Sequence, residues 1–142
     1  MCGIIGISSN KSVSANIINS LKKLEYRGYD SAGVATLFDG EINEVKSEGR
    51  VDNLEQNFDL KSLKGNIGIG HVRWATHGVP NSINAHPHSS DNVSVVHNGI
   101  IENSTILKKH LINKGHTFKS QTDTEVIVHL ITENLKTMEL EE

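Results

Sequence analysis

One cysteine occurs in the chain, at position 2. Methionine is normally removed ahead of a small residue, and removal of Met1 would leave Cys2 with a thiol and a free α-amine. Such an amine titrates near about 8, so it can take the thiol proton directly or through water. Nucleophile and base then sit on one residue. By position alone Cys2 is also readable as a small buried residue at a chain start.

Further candidates lie along the chain. In His97-Asn98-Gly99, the Asn98 carboxamide and the Gly99 backbone N–H could together stabilise the oxyanion of a tetrahedral intermediate. After a strand, Asn-Gly is otherwise a turn. Arg73-Trp74-Ala75-Thr76-His77-Gly78 offers a guanidinium that can clamp a carboxylate bidentately, hydrogen bonds from Thr76 and His77, and an indole to exclude water. Arg73 could equally be a structural ion-pairing residue. Asp123 opens a helix, where a carboxylate either caps the N-terminus or meets a substrate ammonium. The chain has 8 histidines, densest at His86-Pro87-His88, but no cysteine or carboxylate pattern accompanies them, and no metal site is expected. Gly65–Gly70 is glycine-rich yet feeds a strand and lacks a Lys-Ser/Thr ending, so it is a poor phosphate loop. No cofactor is expected.

These groups must be held by regular elements. Gly3–Ser8 is β-prone. Ile17, Ile18, Leu21 and Leu24 recur at helical spacing, predicting a helix over Val13–Glu25. Tyr26–Gly33 reads as a loop. Val34–Phe38 and Ile42–Lys46 flank Asp39-Gly40, a hairpin signal. Val51–Asn57 predicts a short helix, and Ile67–Arg73 and Val93–His97 predict strands. Trp74–Asn92 between them reads as a long polar loop of the kind that carries function. Ser104–Lys114 predicts a helix stopped by Gly115, followed by an extended piece at Thr117–Lys119. Thr122-Asp123-Thr124-Glu125 is a capping-box pattern ahead of a helix over Glu125–Leu135. Strands, hairpins and helices interleave, which predicts an α+β fold with a largely antiparallel or mixed sheet.

At 142 residues the chain is the size of one domain, able to bury a core without disulfides. Its formal charge of -3 supplies no basic field for nucleic acid or an anionic membrane. No apolar run approaches the length of a membrane span. The start lacks a basic region and a long apolar stretch, and Cys rather than Gly follows Met1, against myristoylation. A single cysteine allows no internal disulfide, and a cytoplasmic location is expected.

Six segments, in order, give these residues a shared context. They are Met-Cys-Gly-Ile-Ile-Gly at 1–6, Leu-Glu-Tyr-Arg-Gly-Tyr-Asp-Ser-Ala-Gly at 24–33 and Gly-His-Val-Arg-Trp-Ala-Thr-His-Gly at 70–78. Asn-Ala-His-Pro-His at 84–88, His-Asn-Gly-Ile-Ile-Glu-Asn at 97–103 and Thr-Asp-Thr-Glu-Val-Ile at 122–127 follow. The chain resembles the class II glutamine amidotransferases, and among them the N-terminal glutaminase domains of the isomerising glutamine–fructose-6-phosphate aminotransferases.

The resemblance implies an N-terminal-nucleophile hydrolase fold, an αββα sandwich of mainly antiparallel sheets. It implies that Cys2 attacks the side-chain amide of L-glutamine, with Asn98 and Gly99 forming the oxyanion hole. Arg73 would hold the substrate α-carboxylate, helped by Thr76 and His77, and Asp123 the α-ammonium. Trp74 would seal the site, and Arg27 would support the nucleophile's amine. Ammonia would pass to a sugar-phosphate isomerase domain, and the full-length protein could form a homodimer. Residues 2–142 are expected to be the glutaminase domain, incomplete at its C-terminal end and without the isomerase domain. The rivals are the glutaminase of another class II enzyme, such as that of purine biosynthesis, a non-catalytic glutamine-binding fragment, and a metal module built on His86 and His88.

Overall fold

Along Ile67–Arg73, alternate residues turn to opposite sides, as a strand requires. Gly68 and Gly70 meet the side chain of Ile17, while His71 and Arg73 are buried on the other side. This alternation organises the computed structural model of the chain, which describes residues 1–75 and 78–138.

The elements run β1 (Gly3–Ser8), α1 (Ser14–Leu24), a 3-10 turn at Glu25–Arg27, β2 (Ser31–Phe38), β3 (Glu41–Glu48), α2 (Asp52–Asn57) and β4 (Ile67–Arg73). Then come β5 (His88–Ser89), β6 (Ser94–Val95), α3 (Ser104–Asn113) and α4 (Glu125–Leu135). The main sheet has the order β1-β4-β2-β3 and every pairing is antiparallel. β5 and β6 form a separate antiparallel ladder.

On the outer face of the main sheet, α1 buries Ile17, Ile18 and Leu21 against Ala32, Val34 and Val72. Each such side chain contributes about 1.5–3 kcal/mol when fully buried. Glycine in β4 sets how closely the helix approaches: a Cβ on Gly70 would lie 2.5 Å from Ile17 Cγ2. The inner face meets the segment around β5 and β6. There the His71 and His86 rings stack with centroids 4.3 Å apart, and Lys46 Nζ donates to the Pro87 carbonyl at 3.1 Å. α4 packs on β5 and β6, and α3 on α4. The architecture is α+β, with helices outside two antiparallel sheet layers.

Several sequence expectations shift. β2 begins at Ser31, inside the expected Tyr26–Gly33 loop, because Ser31–Gly33 pair with both β3 and β4. The expected strand Val93–His97 shrinks to Ser94–Val95, and its partner His88–Ser89 comes from the expected loop. Thr117–Lys119 joins no ladder. Its neighbourhood explains why the expected capping box does not form. The unpaired amides of Lys119 and Ser120 need acceptors, and Glu125 supplies them at 2.8 and 2.7 Å. Thr124 at the N-cap makes no side-chain cap bond. Among the described residues, no helix is long and apolar enough to cross a membrane.

Candidate active site

Four segments converge on the inner face: the chain start, the end of β4, the turn after β6 and the approach to α4. The register Gly3↔Val72 between β1 and β4 sets Cys2 at the end of β4. The Trp74 amide donates to Cys2 Sγ at 3.1 Å, and the thiol reaches the Trp74 carbonyl at 3.4 Å. A main-chain donor therefore stands where negative charge on sulfur would develop.

Arg73 is 3% exposed. Its guanidinium donates to the carbonyls of Gly78 at 3.1 Å and Val79 at 3.4 Å, and lies 3.7 Å from Asp30 Oδ1. Asp30 also accepts from the Ala75 amide and, at 2.8 Å, from the Ser31 hydroxyl. One carboxylate thus ties the start of β2 to the chain leaving β4.

Asn98 Nδ2 donates to the Cys2 carbonyl at 3.3 Å, and Asn98 Oδ1 lies 2.8 Å from His71 Nε2. Gly99 follows at φ 150, where a Cβ would come within 2.8 Å of His97 Nε2. A side chain there would be strained and blocked. Asp123 does not cap α4. Its Oδ2 accepts from the Ile101 amide at 2.6 Å, which fixes the carboxylate across the site from β4. A cavity of about 300 Å³ joins these groups, lined by Cys2, Arg73, Trp74, Asn98, Gly99 and Asp123, with Met1 at its edge.

Beneath the cavity lies a column of imidazoles. His86 stacks on His71 and meets His88 edge-on at 4.7 Å. Burial lowers all three pKa values: His71 to about 4, His88 to about 3, and His86 far below the usual imidazole range. Neighbouring positive charge acts in the same direction, from Arg73 on His86 and from Lys46 and Arg73 on His88. The rings are neutral and engaged. His86 Nδ1 accepts from the His97 amide at 3.4 Å, and His88 Nε2 lies 2.8 Å from the Thr122 hydroxyl. Among the described residues, no group of three His, Cys, Asp or Glu side chains is placed to hold a metal ion.

Of the residues singled out in the sequence, Cys2, Arg73, Trp74, Asn98, Gly99 and Asp123 share the cavity. Arg27 lies at the chain start, where its carbonyl accepts from the Met1 amine at 2.8 Å and its guanidinium contacts the Met1 sulfur. Thr76 and His77 lie outside the described residues. Sequence reasoning missed His71, His86 and Thr124 as lining residues, and Asp30 as the partner of Arg73. The one signal for His71 was its place two residues before Arg73 in a strand, which puts both on one face.

Comparisons with known proteins bear on this geometry. A family described as "Glutamine amidotransferase domain" matches residues 58–139, a stretch that holds Arg73, Asn98, Gly99 and Asp123 and begins after Cys2. A Clostridium acetobutylicum glutamine–fructose-6-phosphate aminotransferase (isomerizing) is 59% identical over 133 residues, covering 92% of this chain and 22% of its own. The protein of the same name from Bartonella henselae is 54% identical over 136 residues, covering 96% of this chain and 22% of its own. This chain therefore spans about a fifth of the length of these relatives. Among solved structures, the glutamine phosphoribosylpyrophosphate amidotransferase of B. subtilis, complexed with ADP and GMP, superposes with a TM-score of 0.79. It is 31% identical, and the match covers all of this chain and 30% of that one. A structure described as the allosteric regulatory enzyme of purine biosynthesis gives a TM-score of 0.80 at 31% identity, again covering all of this chain and 30% of that one.

Proposed function

We propose, since this chain belongs to the glutamine amidotransferase domain family, that it hydrolyses the side-chain amide of L-glutamine with Cys2 as nucleophile. The observation that carries this reading is the Trp74 amide donating to Cys2 Sγ at 3.1 Å in a cavity shared with a guanidinium and a carboxylate. Free glutamine is a zwitterion, so its far end needs one cation and one anion. Arg73 would bind the α-carboxylate, with Thr76 and His77 adding hydrogen bonds. Asp123 would bind the α-ammonium through Oδ1, while Oδ2 stays on the Ile101 amide.

Met1 is 70% exposed, which supports its removal by an aminopeptidase. The freed Cys2 amine, supported by Arg27, would take the thiol proton. Sulfur then bonds to the amide carbon, and charge builds on the amide oxygen between Asn98 Nδ2 and the Gly99 N–H. The carbon–nitrogen bond breaks, ammonia leaves with the proton returned by the amine, and a γ-glutamyl thioester remains on Cys2. Water attacks the thioester and releases glutamate. Trp74 would limit the access of water, and selectivity against glutamate would come from a pocket shaped for a neutral amide.

The use of the ammonia rests on the relatives. Identities of 54–59% to proteins named glutamine–fructose-6-phosphate aminotransferase support its transfer to fructose 6-phosphate on a sugar-phosphate isomerase domain. Intact mass before and after treatment with a glutamine-analogue affinity label tests the first half. The expected result is a mass lacking Met1 and one adduct, lost in Cys2→Ala. Retention of Met1, or unchanged labelling of Cys2→Ala, refutes the mechanism. An ammonia assay separates hydrolysis from mere glutamine binding.

A further inference from the structure

Asn98 can serve an oxyanion only if its carboxamide presents nitrogen, not oxygen, toward Cys2. A carboxamide has two orientations of nearly identical shape, so something must choose between them. Two backbone carbonyls make the choice, one directly and one through an imidazole. The Cys2 carbonyl, which can only accept, lies 3.3 Å from Asn98 Nδ2. The His97 carbonyl, which also can only accept, lies 3.3 Å from His71 Nε2. His71 Nε2 must therefore carry the proton. The second oxygen within its reach is Asn98 Oδ1 at 2.8 Å. Flipping the carboxamide would set its N–H groups against the His71 N–H and its oxygen against the Cys2 carbonyl.

The other ring nitrogen agrees. His71 Nδ1 is buried, with no hydrogen-bond partner among the described residues. A proton there would be a buried donor with no acceptor, and Nε2 would turn a lone pair toward two oxygens. Protonation of both nitrogens meets the same obstacle. Stacking of the ring on His86 at 4.3 Å and 19° fixes its plane. Its seat on central strand β4, fully buried, fixes its position.

We propose that His71 is a positioning residue, whose Nε2–H locks the Asn98 carboxamide so that Nδ2 faces the Cys2 nucleophile. The proposal deepens the glutaminase reading above and rests on it for its kinetic consequence, but its structural part stands alone. Nδ2 has two hydrogens. One is given to the Cys2 carbonyl, and the other is left for the substrate oxygen.

The decisive experiment combines tautomer and kinetics on the chain with Met1 removed. Nitrogen-15 NMR of the His71 ring is expected to show a neutral ring protonated at Nε2 between pH 6 and 8. A proton on Nδ1 overturns the proposal outright. His71→Leu is expected to lower kcat for ammonia release from glutamine by about 10- to 100-fold, since loss of a whole oxyanion donor costs about 10²–10³. KM is expected to stay within twofold, because Arg73 and Asp123 are untouched. His71→Gln, whose amide nitrogen can donate to the same oxygens, is expected to recover most of the loss. In an Asn98→Ala background, His71→Leu is expected to add nothing. A His71→Leu effect that persists at full size in that background, or equal losses in kcat and KM without rescue by His71→Gln, refutes action through Asn98. If Asn98→Ala itself leaves kcat unchanged, the oxyanion assignment falls, and the ring tautomer alone decides whether His71 sets the carboxamide.

Discussion

The two faces of the main sheet are built from the same strands and do opposite work. On the outer face Gly68, Gly70 and Val72 of β4 accept Ile17 and Leu21 of α1, and the contact is wholly apolar. On the inner face, one residue out of step, β4 presents His71 and Arg73 to Asn98, His86 and Asp30. Burial is equally deep on both faces, yet outside it excludes water from hydrocarbon, and inside it strips water from groups that must then find partners. Stability from the outer face should be indifferent to protonation. The inner face should carry a pH dependence and the chemistry.

Acid is the strongest test of that contrast. Folded His71, His86 and His88 have pKa values depressed below the ordinary 6.5, so the unfolded chain takes up protons first. Their contribution is fully retained above the unfolded value of about 6.5 and is lost progressively as pH falls, toward 4 for His71, toward 3 for His88 and lower still for His86. At pH 5 each costs about 2 kcal/mol, several kcal/mol together. Lys46 and Arg73, which face the rings, oppose their protonation. Glu125 is also held low: burial opposes this, but the amides of Lys119 and Ser120 and the Ser120 hydroxyl outweigh it, so its loss follows only at lower pH. Urea unfolding at pH 7.5 and pH 5 reads the difference. A flat midpoint would mean that the inner face tolerates charge and that the contrast is wrong.

Leu21→Ala is the matching change outside. Leu21 is fully buried in the α1 contact, and such truncations cost about 2–5 kcal/mol. The same loss is expected at pH 7.5 and pH 5, with labelling of Cys2 unaltered under native conditions. A loss that varies with pH would show the two faces to be coupled.

The outer face was legible in the sequence because one pattern, the 3.6-residue spacing of Ile17, Ile18, Leu21 and Leu24, carries it. The inner face was legible only in part. Cys2, Arg73, Asn98 and Asp123 were found as chemically able residues in a shared context, and all line one cavity. His71 was missed because a histidine in a strand acquires meaning only when Asn98 and His86, 27 and 15 positions later, come to rest on it. The two-residue β5–β6 ladder is too short to show a period of two. The capping box misled because Glu125 serves amides preceding the helix, whose need for acceptors depends on Thr117–Lys119 finding no strand partner.

Asp30→Asn probes how the inner face supports binding. The change keeps shape but removes the charge 3.7 Å from Arg73, and it weakens the tie to the Ala75 amide. A hydrogen bond to a charged group is worth about 1.5–3 kcal/mol, and only part of that support bears on substrate. The expected result is a KM for glutamine raised about tenfold with kcat nearly kept. A fall in kcat at unchanged KM would instead place Asp30 on the side of the nucleophile.

Trp74→Ala is expected to have the smallest effect, and for a reason that the two faces explain. Trp74 follows β4 at the rim of the inner face, where its ring lies against Gly28 yet remains 52% exposed. Removing a half-buried ring costs about 1 kcal/mol. What Trp74 gives Cys2 is its main-chain N–H and carbonyl, and alanine supplies both. Cys2 labelling should therefore stay within a few-fold of the parent while the partition of the thioester toward water changes, since the ring walls the site and does not hold the sulfur. A more than tenfold drop in labelling with the fold intact would show that the ring itself sets the thiol, and would extend the inner face's demand for fixed partners out to its exposed rim.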